Sequence, residues 1–484
     1  MRKKSPLPWH LWPFRRLRLQ AMATAMMTTA MMTTTTTHMN TESIQMAGRL
    51  ALFALLAIAA PHLAAQRPPD NVRIHEWDGR GSQPCEPSIA INPRNPDQLV
   101  AGSVLNNVYK SDNGGWTWDR SVLTSRYGVF GDPCIVANNA GDFYYLHLSD
   151  PAGEGWNSPD LLDRIVIQRS KNNGKTWHPG FGIGRNGAKD QDKEWAAASP
   201  DGKRIAVCWT QFDRYGSKLP TDSTNILCSV SNRKAKHWST PIRVNEIAGD
   251  CLDGDNTVEG AVPAWGPNGE LYVAWAHGDA IWLDRSEDEG QTWLRDDRQA
   301  AAIVGGWDQT IDGIGRANGM PVTMVDHSDG PYRGRIYINW TDARNGEADH
   351  DVFVTWSDDR GETWSAPKRV NDDPAGAQQF FTWMTVDPVT GFIHVVFYDR
   401  RAAHVDHPNT GDLRRRDTDV YLATSEDGGE TWTNWCISEE SFRPGAKGIF
   451  FGDYNNIVAY DGKVRPIWTR EDRGILSVWT AIIE

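Results

Sequence analysis

Short apolar runs that alternate with turns rich in Gly, Asn, Asp and Pro recur from about residue 70 to the end of the chain. Seven stretches share one plan, in which a strand and a turn are followed by a second strand with an aromatic residue at or near its end. They begin at Glu86, Asp132, Glu194, Glu259, Met320, Phe381 and Asp453. A plan copied this often predicts one supersecondary unit repeated along an all-β fold.

An eight-residue phrase follows the third strand of most units. Residues 286–293 (SEDEGQTW) are a clean copy, and the other copies lie at 111–118, 170–177, 231–238, 357–364 and 425–432, of which 231–238 keeps only its ends. The Asp or Asn can accept hydrogen bonds from the N–H groups of its own turn, and the Gly can adopt positive φ without steric cost. The closing Trp supplies a large apolar area. The phrase therefore predicts a hairpin turn.

This phrase resembles the Asp-box, or BNR repeat, of sialidase-like β-propellers, S-x-D-x-G-x-T-W. The resemblance implies a ring of four-stranded blades, with structural boxes on the face opposite the active site. Sialidases have six blades, whereas the seven strand units here predict seven.

The last unit lacks a fourth strand, because residues 474–483 form only its third strand before the chain ends. Residues 71–77 (NVRIHEW) form an orphan strand near the other end. We therefore predict an all-β, seven-bladed β-propeller of four-stranded antiparallel blades, closed by an N-terminal strand that joins the C-terminal blade. Such closure removes open sheet edges.

The first 65 residues differ from the rest of the chain. Residues 1–45 are basic and then rich in Met and Thr, which predicts a disordered segment or a misassigned upstream sequence. Residues 46–65, with Arg49 before an apolar run and Leu63-Ala64-Ala65 at the end, indicate a signal peptide; the alternative is a longer signal with an extended charged region. The run is too short for a membrane span. Residues 66–484 would be one propeller domain with six Asp-box turns, secreted or periplasmic.

Charge and cysteine content narrow the possible partners. The net charge of −12 argues against nucleic acid and against anionic membrane surfaces. The six cysteines fit an oxidising compartment. Cys208 and Cys228 lie on predicted adjacent strands, and Cys85 and Cys134 begin neighbouring inner strands. Either pair can form a disulfide, and the alternative is free, buried thiols.

Strand alternation predicts where a site would lie. The entries to the first strands and the links after the second strands share one face, opposite the boxes. The candidate catalytic residues there are Asp453, Tyr454, Glu259, Glu194 and Asp132, and the candidate binding residues are Arg214, Arg344, Arg400, Arg401, Arg470 and Glu86. Paired carboxyl groups suit acid–base work on a glycosidic bond, and Arg suits recognition of a carboxylate. The structural alternative is that the carboxylates cap backbone groups and the arginines brace their own loops.

The sialidase resemblance implies a Tyr nucleophile activated by a Glu, for which Tyr454 with Glu259 or Glu194 are the candidates. The first blade departs from that family, since Glu86-Pro87-Ser88 stands where sialidases carry Arg-Ile-Pro. We expect an exported sialidase-like propeller, a hydrolase (or a polysaccharide lyase) acting on an acidic sugar. The alternative is a non-catalytic propeller that binds a glycan or a protein outside the cell.

The expected partner is a carbohydrate or glycoconjugate, bound by a monomer with no membrane span in the mature chain. We predict no cofactor and no metal. Calcium is the alternative, because residues 250–256 (DCLDGDN) carry suitable oxygen ligands, although without EF-hand spacing.

Overall fold

Each of the seven sequence units folds into a four-stranded antiparallel sheet. The computed structural model describes residues 68–407, 409 and 411–484. The segments 1–45 and 46–65, assigned above to an upstream stretch and a signal peptide, lie outside these residues. No helix in the described part of the chain is long and apolar enough to cross a membrane.

The blades are contiguous in sequence, and each runs from its first strand on the inside to its fourth on the outside. Blade 1 contains β2 (Ser88–Ile91), β3 (Leu99–Ser103), β4 (Asn107–Ser111) and β5 (Asp119–Val122); blade 2 contains β6 (Cys134–Ala137), β7 (Phe143–Leu148), β8 (Ile165–Ser170) and β9 (Phe181–Ile183); blade 3 contains β10 (Asp190–Ala198), β11 (Arg204–Phe212), β12 (Thr224–Asn232) and β13 (Ile242–Arg243); blade 4 contains β14 (Glu259–Trp265), β15 (Leu271–His277), β16 (Ala280–Ser286) and β17 (Arg298–Ala302).

The second half of the chain follows the same order. Blade 5 contains β20 (Val322–Val325), β21 (Ile336–Asp342), β22 (Asp351–Ser357) and β23 (Lys368–Arg369); blade 6 contains β24 (Gln379–Val386), β25 (Ile393–Asp399), β26 (Asp419–Ser425) and β27 (Thr433–Cys436); blade 7 contains β28 (Asn456–Tyr460), β29 (Lys463–Asp472), β30 (Ile475–Ala481) and β1 (Asn71–Glu76). A two-stranded ribbon, β18 (Asp308–Gln309) and β19 (Ala317–Asn318), lies between blades 4 and 5. Three short helical segments occupy links: Gly155–Asn157, Arg401–Asp406 and Leu413–Arg416.

The inner strands form a closed ring. The first strand of each blade contacts the first strand of the next, from β2 round to β28, and β28 contacts β2. Large side chains fill the space between blades, and Trp209, Trp265, Trp275, Trp340 and Trp468 are almost fully buried. Trp209, Trp275, Trp340 and Trp468 lie toward the ends of second strands, as the repeated plan predicts, whereas Trp265 ends the first strand β14.

The predicted closure by the N-terminal strand is confirmed. β1 pairs antiparallel with β30, with Asn71 opposite Ala481 and Glu76 opposite Ser477. Two further backbone bonds extend the pairing, Trp77 N–H to Leu476 O and Ile482 N–H to Asp70 O, both at 3.0 Å. The strand thus supplies the fourth place of blade 7.

Five of the octapeptide turns share one hydrogen-bond pattern. In residues 425–432 the hydroxyl of Ser425 donates to Asp427 (2.9 Å), the N–H of Gly429 donates to the Ser425 hydroxyl (2.9 Å), and the N–H of Thr431 donates to Asp427 (2.9 Å). The same three bonds recur in 111–118, 170–177, 286–293 and 357–364. The turns follow the third strands, so they lie at the ends of the strands away from the first-strand entries.

The two cysteine pairs behave differently. Cys208 and Cys228 face each other on β11 and β12 and form a disulfide. Cys85 and Cys134 are buried free thiols. The first of the two predicted pairings is therefore formed, and the second is wrong.

Candidate functional site

The first strands share a backbone irregularity at their entries. Residues with left-handed φ stand at this point in six blades: Glu86 (52°), Asp132 (49°), Lys193 (51°), Gly260 (81°), Phe381 (49°) and Gly452 (90°). In blades 3, 4 and 6 the strand register shifts here, as in a β-bulge. When the units are aligned on the residue with left-handed φ, Lys193 and not Glu194 occupies the position of Glu86 and Asp132. The bulge therefore changes the direction in which the following side chains point.

A buried ion pair connects opposite sides of the ring. The ammonium of Lys193 in blade 3 donates to both carboxylate oxygens of Asp453 at the entry to blade 7, at 2.9 and 2.8 Å. Arg316 Nε lies 3.3 Å from the same carboxylate, whose side chain has no exposed surface. Burial by itself raises the pKa of Asp453, but Lys193 and Arg316 outweigh it and hold that pKa well below its usual range. Asp453 is therefore ionised.

Other carboxyl groups surround this ion pair. Asp132 lies 4.0 Å from the Lys193 ammonium, and Glu86 shares a hydrogen bond with Asp453. Burial raises the pKa of both groups, and the charge of Asp453 raises each further. Burial, with the charge of Asp132, raises the pKa of Asp192 to about 7. These groups, with Asp253, Glu259 and Arg316, are named the channel-mouth cluster: Glu86, Asp132, Asp192, Lys193, Asp253, Glu259, Arg316 and Asp453.

Three aromatic rings narrow the central channel beneath the cluster. The ring centroids of Trp195 and Trp383 are 4.3 Å apart, and that of Tyr454 lies 5.1 Å from Trp195 and 6.4 Å from Trp383. The cavity that they line with Lys193 and Asp453 has a volume of about 30 Å³. That is room for one or two water molecules. A ligand larger than water must therefore bind above the rings, at the mouth.

The expected Tyr–Glu pairs are not formed. The Tyr454 hydroxyl and both carboxyl oxygens of Glu194 and Glu259 have no hydrogen-bond partner among the described residues. Burial raises the pKa of Tyr454 well above its usual range, and the charge of Glu86 adds to the effect. Tyr454 is thus a neutral phenol without a base. Glu194 stands one place after the left-handed residue of blade 3, and Glu259 stands one place before that of blade 4.

Four of the five candidate binding arginines are engaged by groups of the loops around them, in agreement with the structural alternative. Arg344 Nε donates to Asp342 (2.9 Å), Arg401 Nε to Asp399 (2.9 Å) and Arg470 Nε to Asp472 (2.7 Å). Arg400 is buried and binds Asp312 O (2.7 Å), Gln378 Oε1 (2.9 Å) and Thr418 Oγ1 (3.2 Å). Arg214 is exposed next to Tyr215. None of these four bonded arginines makes its hydrogen bonds to the channel-mouth cluster.

The segment proposed for calcium uses its carboxylates within the protein. Asp253 accepts bonds from Arg316 (3.1 Å) and from the Tyr215 hydroxyl (2.5 Å), and Asp255 accepts one from the N–H of Asp308 (2.8 Å). In the described residues no three His, Cys, Asp or Glu side chains are grouped in a way that would hold a metal ion.

Sequence reasoning missed Lys193, Arg316, Trp195 and Trp383, and it considered Asp253 only as a possible calcium ligand. Lys193 could have been found by aligning the repeat units on an aromatic residue near the start of the first strand, which is Trp195 in blade 3 and Tyr454 in blade 7. Each of these residues follows the residue with left-handed φ by two places. Arg316 lies in the irregular link between blades 4 and 5, where no repeat pattern points to it.

No protein-family model matches the chain. Three similar solved structures are a Dyadobacter fermentans protein of unknown function (14% identity, 86% of this chain and 98% of that chain, TM-score 0.49), a Hadza microbial sialidase (16%, 80% and 73%, 0.44) and an α-L-arabinofuranosidase from Fusarium graminearum (15%, 68% and 92%, 0.43). At these identities the likeness concerns the backbone alone.

Proposed function

We propose that the protein is an exported glycoside hydrolase whose reaction takes place at the channel-mouth cluster. The observation that carries the proposal is the pair Asp132 and Asp453. Because one Lys193 Nζ lies 4.0 Å from Asp132 and 2.8 Å from Asp453, the two carboxylate oxygens are at most about 7 Å apart. Glycosidases place two carboxyl groups at about 5–10 Å across the scissile bond.

The two carboxyl groups differ in protonation, as acid–base catalysis requires. The raised pKa of Asp132, whose burial disfavours its charge, keeps a proton available, and the lowered pKa of Asp453 keeps that group ionised. Asp132 gives its proton to the glycosidic oxygen as the bond to the anomeric carbon breaks. Asp453 stays ionised and stabilises the positive charge that develops at this carbon, and the attacking water releases its proton to solvent. Lys193 positions both groups.

The side chain of Asp132 is 19% exposed, which opens the acid to solvent at the mouth. The disulfide between Cys208 and Cys228 supports the export part of the proposal, since such bonds persist in oxidising compartments.

Non-catalytic glycan binding is the second candidate function. It is favoured by the full burial of the Asp453 side chain and by the two cations that occupy its oxygens. In this case Asp132 and its neighbours bind sugar hydroxyl groups without cleaving the chain.

The acidic-sugar expectation keeps only the sialidase resemblance as its basis, because four of the five arginines that also motivated it bind groups of their surrounding loops.

The test is an assay of the purified protein on sialylated, uronic-acid, arabinofuranosyl, neutral and amino-sugar glycans. We expect Asp132→Asn to lower the rate on the cleaved substrate by about 10²–10⁴-fold with an unchanged melting temperature. Glu426→Gln, a change at an exposed position within the turn at 425–432, is the matched control. Unchanged turnover in Asp132→Asn contradicts the acid role. Binding without cleavage of any glycan selects the second function.

A further inference from the structure

A row of aromatic side chains leads from the surface to the channel-mouth cluster. The ring of Phe130 meets Trp156 edge-on at 5.9 Å, and Trp156 lies 5.6 Å from Tyr215 at an interplanar angle of 37°. All three side chains are half-buried. Phe130 precedes blade 2, and the other two residues lie in the links after second strands, so the row is on the face where the first strands begin.

The row ends at a carboxylate. The Tyr215 hydroxyl donates to Asp253 at 2.5 Å, and the Asp253 side chain is 17% exposed. Asp132, two residues after Phe130, is similarly open, and Asp308 is exposed nearby. Aromatic faces and carboxylate oxygens therefore border the same opening.

The two cations of the cluster are already bound. Lys193 donates to Asp453, and Arg316 bridges Asp453 and Asp253. The remaining carboxyl groups of the cluster outnumber these cations. Burial raises the pKa of Asp192 and Glu259 among them, so a positive charge at the opening favours their ionised form, whereas a negative charge disfavours it.

An acceptor inside the cluster also lacks a donor. Glu259 is fully buried, and neither of its carboxyl oxygens has a hydrogen-bond partner among the described residues. It interacts electrostatically with Asp253 and Arg316, which places it beside the end of the aromatic row. A buried polar group without a partner is costly unless a ligand or water satisfies it.

We propose that the mouth binds an amino sugar in a glycan, with its sugar ring against Trp156 and its ammonium group toward Asp253. Aromatic faces attract cations as well as apolar ring surfaces, and the carboxylates accept the ammonium hydrogens. This substrate class rests on the proposed glycan-directed function. It is chemically opposite to an acidic sugar.

The test compares three hexasaccharides by isothermal titration calorimetry with the full chain: a glucosamine hexamer, the same hexamer fully N-acetylated, and a galacturonate hexamer. The N-acetylated probe keeps the backbone and removes the charge. We expect the glucosamine hexamer to bind about tenfold or more tightly than either of the others, and to weaken as salt is added.

Two variants locate the binding. Trp156→Ala and Asp253→Asn should each weaken the glucosamine hexamer about tenfold. Trp116→Ala is the matched control, because Trp116 is half-exposed and lies in the octapeptide turn at 111–118, at the other ends of the strands. This variant should bind the glucosamine hexamer as the parent does. A melting curve for each variant separates lost binding from unfolding. Trp156→Phe keeps an aromatic face and should therefore retain most of the affinity that Trp156→Ala loses.

The outcomes separate this inference from the proposed function. If the glucosamine hexamer binds but no glycan is cleaved, the amino-sugar inference is supported and the proposed hydrolase function is contradicted. Cleavage of an acidic or neutral glycan, with no preference for the glucosamine hexamer, overturns the inference and leaves the hydrolase standing. Equal loss of binding in Trp116→Ala and Trp156→Ala contradicts the location.

Discussion

Lys193 lies among carboxyl groups that come from three other blades: Glu86 of blade 1, Asp132 of blade 2 and Asp453 of blade 7. Burial alone would lower the pKa of this lysine, yet Asp453 and its neighbours raise it above the usual range. The ammonium thus keeps its charge in a place where only 7% of its side chain is exposed. Removing either member of such a pair leaves an uncompensated buried charge.

Asp453→Asn and Lys193→Met should each lower the free energy of unfolding by about 3–5 kcal/mol, because each leaves its partner unpaired in the interior. The double variant should lose clearly less than the sum of the two. Urea denaturation of the four proteins measures this coupling. Lys203→Met, which removes a largely exposed lysine paired with Asp201, should cost less than about 1 kcal/mol. Additive losses would show that the pair contributes no coupling energy.

Only some of the individual residues of the candidate site could be predicted from the sequence. Asp132, Asp453 and Glu86 were placed correctly on one face, because strand alternation alone fixes that. Glu194 and Glu259 were assigned equivalent places, but a bulge of one residue shifts the register, and in the sequence only aromatic residues such as Trp195 and Tyr454 mark that shift. Arg344 and Arg401 each follow an Asp by two residues and Arg470 precedes one by two, and at that range a local ion pair forms more readily than a site between blades.

At the scale of the element, the octapeptide turn is defined by its own hydrogen bonds. Asp427 accepts from the N–H of Thr431 (2.9 Å), from its hydroxyl (2.6 Å) and from the Ser425 hydroxyl (2.9 Å). Every partner lies within four residues. This is why the turn could be predicted from the sequence, whereas the cluster, whose members are up to 367 residues apart in the chain (Glu86 to Asp453), could not.

Asp427→Ala should lower the free energy of unfolding by about 1–3 kcal/mol, because the turn loses these bonds. Glycan binding and any hydrolysis should stay as in the parent, since the turn lies at the ends of the strands away from the cluster. Thermal melting and the calorimetric titration measure the two effects. Glu426→Ala, at the exposed neighbouring position, is the control. A loss of ligand affinity at an unchanged melting temperature would contradict the assignment of faces.

At the scale of the whole molecule, the ring depends on a strand from the opposite end of the chain. The number of blades and the closure by residues 71–77 were predictable, because a unit with three strands and an orphan strand complete each other. The width of the channel was not predictable. It depends on how Trp195, Trp383 and Tyr454 from blades 3, 6 and 7 pack together, and their spacing in the sequence carries no sign of that contact.

Deletion of residues 71–77 should sharply lower the melting temperature and promote association, because β30 becomes an unpaired edge. Differential scanning calorimetry and size-exclusion chromatography measure both effects. A synthetic peptide of residues 68–80 should restore much of the stability, and a scrambled peptide should not. A deletion variant that melts as the parent does, as a monomer, would refute the role of this strand.

The closing strand also sets an order of events during synthesis. β1 is among the first parts of the propeller to leave the ribosome, and its partner β30 is the last strand, about 400 residues later. At about 5–20 residues per second, β1 waits roughly 20–80 seconds for that partner. During this time the earlier blades can stack on one another, but the ring cannot close, because β1 has no partner strand. An unfinished or truncated chain therefore offers β1 as a free strand, which chaperones or a second nascent copy can capture.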